Sequence, residues 1–306
     1  MSYMPETTDM PYGFQQEENS VRNGYTGRLA LVATIGLVAA LPALAADLPD
    51  AMPDDNLNAV LWDQTSVEAQ ANALGAYTLG RIRLDEALAD KNWTAAPVEQ
   101  TGNFQDFPPA IILDVDDTIL NTSPYQARNI TTGSSFTADS WTQYVNAQQD
   151  KPIAGAVEFT QYAASKGVKV FYVTNRTVDE EKPTVEEMKR FGFPMGDNVD
   201  TFLSVKEQPD WTSAKGTRRA FIAKNYRILL MFGDNFGDFT DDYKGTVEER
   251  QKVFDANVAH FGHDWIAIAN PTYGSFESAP YKGDYKLPPE QQRRLKQDAL
   301  TPWDGK

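Results

Sequence analysis

Apolar positions along this chain follow two rhythms. Short, nearly continuous apolar runs occupy 110–113, 168–173, 201–203, 228–232 and 265–268, the pattern of strands buried on both faces. Between and before them the spacing is helical. Leu57, Val60, Leu61, Leu74, Tyr77, Leu84 and Leu88 recur at intervals of three, four or seven, which predicts an amphipathic helix or helix pair, with Gly75 and Gly80 weakening its middle. Phe159, Tyr162 and Ala163 share one face of a helix that stops at Gly167, and 213–224 reads as a helix with Ser213 at its cap position. Strands alternating with helices imply right-handed βαβ units, hence an α/β fold of three layers around a mostly parallel central sheet.

The flanks break both rhythms. Residues 1–23 are polar, poor in aliphatics and carry Glu17 and Glu18, a composition that forms no packed core. Arg22 and Arg28 then precede the apolar run 29–41 and the small-residue sequence Ala43-Leu44-Ala45. That is the order of a secretory signal, and cleavage after Ala45 would release the rest of the chain. The run is short for a membrane span of about 20 residues; an uncleaved N-terminal anchor is the alternative. The expected division is a polar segment plus signal over 1–46, a helical segment and Pro/Gly/Asn-rich linker over 47–109, a core over 110–285 interrupted by an insertion near 125–150, and a polar surface tail over 286–306.

Chemistry concentrates where strands end. The run 110–113 delivers Asp114 at its C-terminal end, the side on which open α/β sheets bind ligands, and Asp116 follows two residues later. A turn there can aim both carboxylates into one pocket, with Thr118 adding a hydroxyl. Asp234 follows the strand 228–232, and Asp238 lies on the same loop; hard oxygen ligands of this kind suit Mg²⁺.

These segments, DVDDTILNTSPY, FYVTNR, SAKGTRR, FGDNFGDF and NPTYGS, occur in the order in which the haloacid dehalogenase (HAD) superfamily carries them, and within it they resemble the class C bacterial acid phosphatases and related lipoprotein nucleotidases. The resemblance covers roughly 57–276 and implies a Rossmann-like HAD core with a small cap inserted after the first motif. It also implies phosphomonoester hydrolysis, with nucleoside 5′-monophosphates as the expected substrates. In such an enzyme Asp114 attacks phosphorus and Asp116 serves as acid and then base. Mg²⁺ is held by Asp114, the Asp116 carbonyl, Asp234 and Asp238. Thr174, Asn175 and Lys215 hold the phosphoryl group, and Tyr125, Trp141, Arg176 and Tyr273 are candidates for contact with the rest of the substrate.

Local chemistry leaves several of these roles open. Thr174 also reads as a strand-end turn residue, Arg176 as a solvated arginine, and Trp141 and Tyr273 as rings that pack the cap on the core. Lys206 competes with Lys215, while Arg218 and Arg219 read as helix-surface charges. A non-enzymatic binding or storage protein would have lost a nucleophile or a metal ligand, and none is missing. A phosphotransferase would use the same intermediate.

Composition narrows the field further. A formal net charge of −15 over 306 residues opposes binding to nucleic-acid polymers or anionic membranes, so an anionic substrate needs a local cationic site. The absence of cysteine excludes disulfides and thiolate chemistry, and leaves nothing to carry a lipid at a mature N-terminus. The two histidines, His260 and His263, lack a phosphohistidine setting. No Walker-type loop supports a kinase or ATPase. A homo-oligomer is left open.

Overall fold

A computed structural model describes residues 54–305, so the expected secretory signal and polar N-terminus lie outside the described residues. The chain begins with a helix pair, α1 (Leu57–Thr65) and α2 (Val67–Ala89). Next come β1 (Pro109–Leu113), β2 (Leu120–Asn121), α3 (Ser123–Thr132), α4 (Ala138–Ala147), β3 (Lys151–Pro152) and α5 (Ala156–Ser165). The second half runs through β4 (Lys169–Thr177), α6 (Val178–Phe191), β5 (Phe202–Val205), α7 (Gly216–Ala223), β6 (Arg227–Gly233), α8 (Val247–Asn257), β7 (Trp265–Ala267), α9 (Ser275–Ser278) and α10 (Pro289–Asp298).

Five strands form one sheet in the order β5-β4-β1-β6-β7, and every pairing is parallel. Alternate residues of β1 enter different cores. Ile111 and Leu113 pack with Tyr77 and Leu84 of α2 and Phe159 of α5, whereas Ala110 and Ile112 pack with Ile222 of α7, Trp211 and Trp265. The sheet is therefore the middle of three layers. From β1 the chain builds outward through β4 to β5, then crosses back to β6 and β7. The strand order reverses between β1 and β6, and a crevice opens there beyond their carboxyl ends.

Several elements differ from the sequence expectation. α2 runs unbroken through both glycines, because Gly80 is the contact point with the sheet: a Cβ there would lie 2.5 Å from Cζ of Phe232. α6 was not expected, since its sequence is strongly polar. Local signals build it: a capping box between Thr177 and Glu180, three acidic residues in the first turn, Lys189 and Arg190 in the last, and a left-handed stop at Gly192. α7 begins at Gly216 with Lys215, not Ser213, at its cap position. The polar tail is not structureless either. It contains α10, where Arg293 pairs with Asp55 at 2.7 Å and Lys296 pairs with Glu277.

The two α2 glycines should respond oppositely to alanine. At Gly75 nothing lies within 4 Å of an added Cβ, so Gly75→Ala is expected to stabilise by up to about 1 kcal/mol through helix propensity. Gly80→Ala drives a methyl into a ring stacked on Tyr77 and should cost about 1–3 kcal/mol from overpacking. Urea denaturation of both variants checks this, and equal shifts would contradict the packing account.

Candidate active site

β1 runs directly into Asp114, whose N–H donates to the Phe232 carbonyl of β6 at 3.0 Å. The loop beyond it is fastened by its own residues. Asp117 adopts a left-handed φ of 52°, which Asp tolerates better than most residues. Its carboxylate accepts from the Thr122 N–H at 2.9 Å and the Thr122 hydroxyl at 2.6 Å. Burial pushes that carboxyl up to about 7 against these bonds. Tyr77 of α2 donates to the Thr118 carbonyl at 2.5 Å. The third carboxylate of the motif thus holds the loop, and Asp114 and Asp116 face the crevice.

Asp114 and Lys215 are hydrogen-bonded, and Lys215 Nζ also lies 2.7 Å from Asp238 Oδ1. Both ends of this contact are buried. Asp238 is aimed by the Asn235 N–H, which donates to Oδ2 at 2.9 Å. Gly233 leaves it room, since a Cβ there would fall 2.3 Å from the Asp238 side chain. Asp234 accepts from Asn270 Nδ2 at 2.7 Å. Carboxylate oxygens of Asp114, Asp234 and Asp238 lie within 4.8 Å of one another.

The charges in this cluster do not balance. Burial pushes Asp234 well above the usual carboxylate range, and Asp238 and Asp114 push it further. Asp114 is likewise raised by burial, with Lys215 pulling it back. Burial works against the Lys215 cation, but Asp114 and Asp238 outweigh it and hold the ammonium charged. One cation faces three carboxylates, and all three offer hard oxygens. This donor set fits a divalent ion such as Mg²⁺.

Asp116 faces the cluster from a different partner. Arg176 donates to its Oδ1 from Nε at 2.9 Å and from Nη2 at 2.7 Å. The same guanidinium reaches Asp150 Oδ2 at 2.7 Å and the Thr184 hydroxyl at 2.9 Å. Tyr144 of α4 donates to Asp150. Arg176 is 1% exposed, so the solvated reading is wrong, and its four hydrogen bonds make it an anchor for Asp116. Asp150 carried no signal in the sequence beyond following the inserted helices.

The remaining candidates sort by position. Thr174 is buried, its hydroxyl accepting from the Arg176 N–H at 3.0 Å and its carbonyl from Arg218. Asn175 walls the same cavity as Asp114 and Lys215, held by Arg218 Nη2 at 2.8 Å. Arg218 and Arg219 are not surface charges: both are buried, and Arg219 ties Glu99, Asp241 and the Asp238 carbonyl together. Lys206 is exposed and lies outside this cavity. Tyr125 is fully buried, bonded to Ser140 at 2.8 Å and edge-on to Trp141, which removes it from the substrate surface. Trp141 and Tyr273 wall a larger cavity of about 930 Å³ shared with Asp116 and Asn175.

Residues 48–276 match the family described as HAD superfamily, subfamily IIIB (acid phosphatase). The class C acid phosphatase from Bacillus anthracis is 31% identical in structure-based alignment, with a TM-score of 0.71, over 81% of this chain and 98% of that one. Its tungstate-bound crystal structure gives 0.72 at the same identity and coverage. A stem 28 kDa glycoprotein of Glycine max is 20% identical over 138 residues, and a stem 31 kDa glycoprotein 23% over 137. The chain spans about half the length of these curated relatives, 54% and 53%.

Behind the Arg176 anchor lies a pH-sensitive group. Glu187 of α6 is buried, no donor reaches either of its oxygens among the described residues, and Arg190 stands 3.6 Å away. Burial and then Asp150 push its carboxyl from 4.5 up to about 7 against Arg176 and Arg190. The folded chain therefore binds a proton that the unfolded chain has lost, so this contribution to stability is present in acid and disappears as pH rises from 4.5 to about 7. Glu187→Gln should gain stability relative to the parent across that window and hold a constant difference above it. Denaturation at stepped pH tests this, and parallel profiles would refute it.

Proposed function

The chain belongs to the acid phosphatases of HAD subfamily IIIB, and on that premise we propose that it is an exported, Mg²⁺-dependent phosphomonoesterase acting on nucleoside 5′-monophosphates through an aspartyl-phosphate on Asp114. One observation carries the reading: a cavity of about 150 Å³ gathers Asp114, Asp116, Lys215, Asp234 and Asp238 from three separate segments. Export rests on the apolar run 29–41 and the small residues after it, and the lack of cysteine argues against a lipid anchor.

The reaction follows from the placement of these groups. An Asp114 oxygen attacks phosphorus as the bond to the leaving oxygen breaks, and Asp116 gives that oxygen a proton. Arg176 binds only Oδ1 of Asp116, so Oδ2 is the oxygen left to carry the proton. Asp116 then takes a proton from the water that attacks the aspartyl-phosphate. Inorganic phosphate leaves and Asp114 is restored. Lys215 has three N–H donors; with two directed at Asp114 and Asp238, one remains for a phosphoryl oxygen. Asp114, the Asp116 carbonyl, Asp234 and Asp238 would hold Mg²⁺, which would supply positive charge to the transferring oxygens. Asn175 completes the wall around them.

The larger cavity takes the leaving group. Trp141 and Tyr273 present ring surface beside Asp116, and stacking on a nucleobase contributes about 1–3 kcal/mol.

Phosphate release from p-nitrophenyl phosphate, glycerol phosphate and a nucleoside monophosphate tests the proposal, with Mg²⁺ and with chelator. Turnover should require the metal, and Asp114→Asn should lower kcat by about three orders of magnitude or more in a folded protein. Trp141→Ala and Tyr273→Ala should each lower kcat/KM for the nucleotide by about five- to a hundredfold, with much smaller losses on the other esters. Activity unaffected by chelator would remove the metal assignment. Uniform losses that track a falling Tm would make the two rings packing residues.

A further inference from the structure

A second cavity of about 510 Å³ borders the phosphoryl pocket, sharing Ser213, Asn235, Tyr243 and Tyr273 with it. Neither inserted helix lines it, and its character differs from the aromatic cavity beside Asp116. Lys244 and Lys282 stand on its wall, both exposed. Among the described residues no carboxylate comes within 4.0 Å of either ammonium, although Lys282 acts on Glu248 at longer range. Lys244 sits 5.4 Å from the Tyr243 ring centroid. Glu277, the carboxylate on this wall, is neutralised by Lys296 of α10.

Backbone also shapes the wall. Gly245 and Gly274 adopt φ of 126° and 150° on this wall, a region that side chains rarely enter. An added Cβ would lie 2.7 Å from Glu249 Oε2 at Gly245 and 3.2 Å from Asn235 Nδ2 at Gly274, so this stretch of wall is closely packed backbone. On a chain with net charge −15, two lysines with no carboxylate in ion-pair contact supply local positive charge beside the reaction pocket.

We propose that this cavity binds a second anionic group, phosphoryl or carboxylate, carried on the leaving group of the same phosphomonoester, so that bis-anionic esters are the preferred substrates. The inference rests on the phosphomonoesterase reading. In the reaction only the ester held at Asp114 is cleaved: its P–O bond breaks, water supplies the new oxygen of inorganic phosphate, and the second anion departs unchanged on the product alcohol. A nucleoside bisphosphate would place its base on the aromatic cavity and its second phosphoryl group between the lysines.

The test compares kcat/KM of the parent and the Lys244→Ala, Lys282→Ala double variant at low and high salt. Substrates are p-nitrophenyl phosphate, a nucleoside monophosphate, the corresponding bisphosphate, glycerol phosphate and phosphoglycerate; the last pair isolates a carboxylate as the second anion. In the parent, a second anion should raise kcat/KM by about tenfold, as one or two charge-assisted hydrogen bonds would. The gain should appear in KM and shrink with salt. The double variant should lose it while p-nitrophenyl phosphate turnover changes by less than about twofold, the range expected for exposed residues. Equal kcat/KM with and without the second anion in the parent, or a gain that survives in the double variant, would overturn the inference. No turnover of p-nitrophenyl phosphate by the parent would instead overturn the phosphomonoesterase reading beneath it.

Discussion

Carboxylate oxygens from three residues within 4.8 Å of one another, in a pocket partly closed to water, repel strongly: unit charges about 4 Å apart interact by ~4 kcal/mol at an effective dielectric near 20. The fold tolerates this because the Lys215 ammonium lies between Asp114 and Asp238. Its position depends on distant parts of the chain. Lys215 occupies the cap position of α7, Asp114 follows β1, and Asp238 lies beyond β6, so the sheet order that sets β1 beside β6 also brings opposite charges together. The remaining imbalance suits the cluster to a divalent cation.

Arginines solve a second problem, that of rigidity. Arg176 connects Asp116 with Asp150 and Thr184, and Tyr144 connects Asp150 with α4. The helices that wall the larger cavity are thereby tied to Asp116, the proposed proton donor. Arg218 performs a similar task for the Thr174 carbonyl and Asn175. Each is a buried cation with fixed geometry, a use for which the planar guanidinium is better suited than an ammonium.

Much of this was legible before any coordinates. The apolar runs marked all five strands of the sheet, because strands covered on both faces must be nearly continuous in apolar residues, and strand ends marked Asp114 and Asp234. What stayed hidden was long-range pairing. Nothing local distinguishes an arginine that pairs with distant loops from one that faces water, so Arg218 and Arg219 read as surface charges and Arg176 as solvated, although all three are buried. α6 was hidden because an amphipathic pattern is weak where nearly every residue is polar, and its caps were the available signal. Tyr125, in a recognisable motif, turned out to be buried under Trp141, since motif position alone does not say which ring faces the cavity.

Covalent capture of the nucleophile tests the account most directly. Rapid acid quench of the enzyme during turnover of a labelled phosphomonoester, followed by peptide mass spectrometry, should find one phosphoryl group on the Asp114 carboxylate, formed and lost at rates compatible with kcat. Steady turnover without a phosphoenzyme, or with the phosphoryl group on another residue, would contradict it.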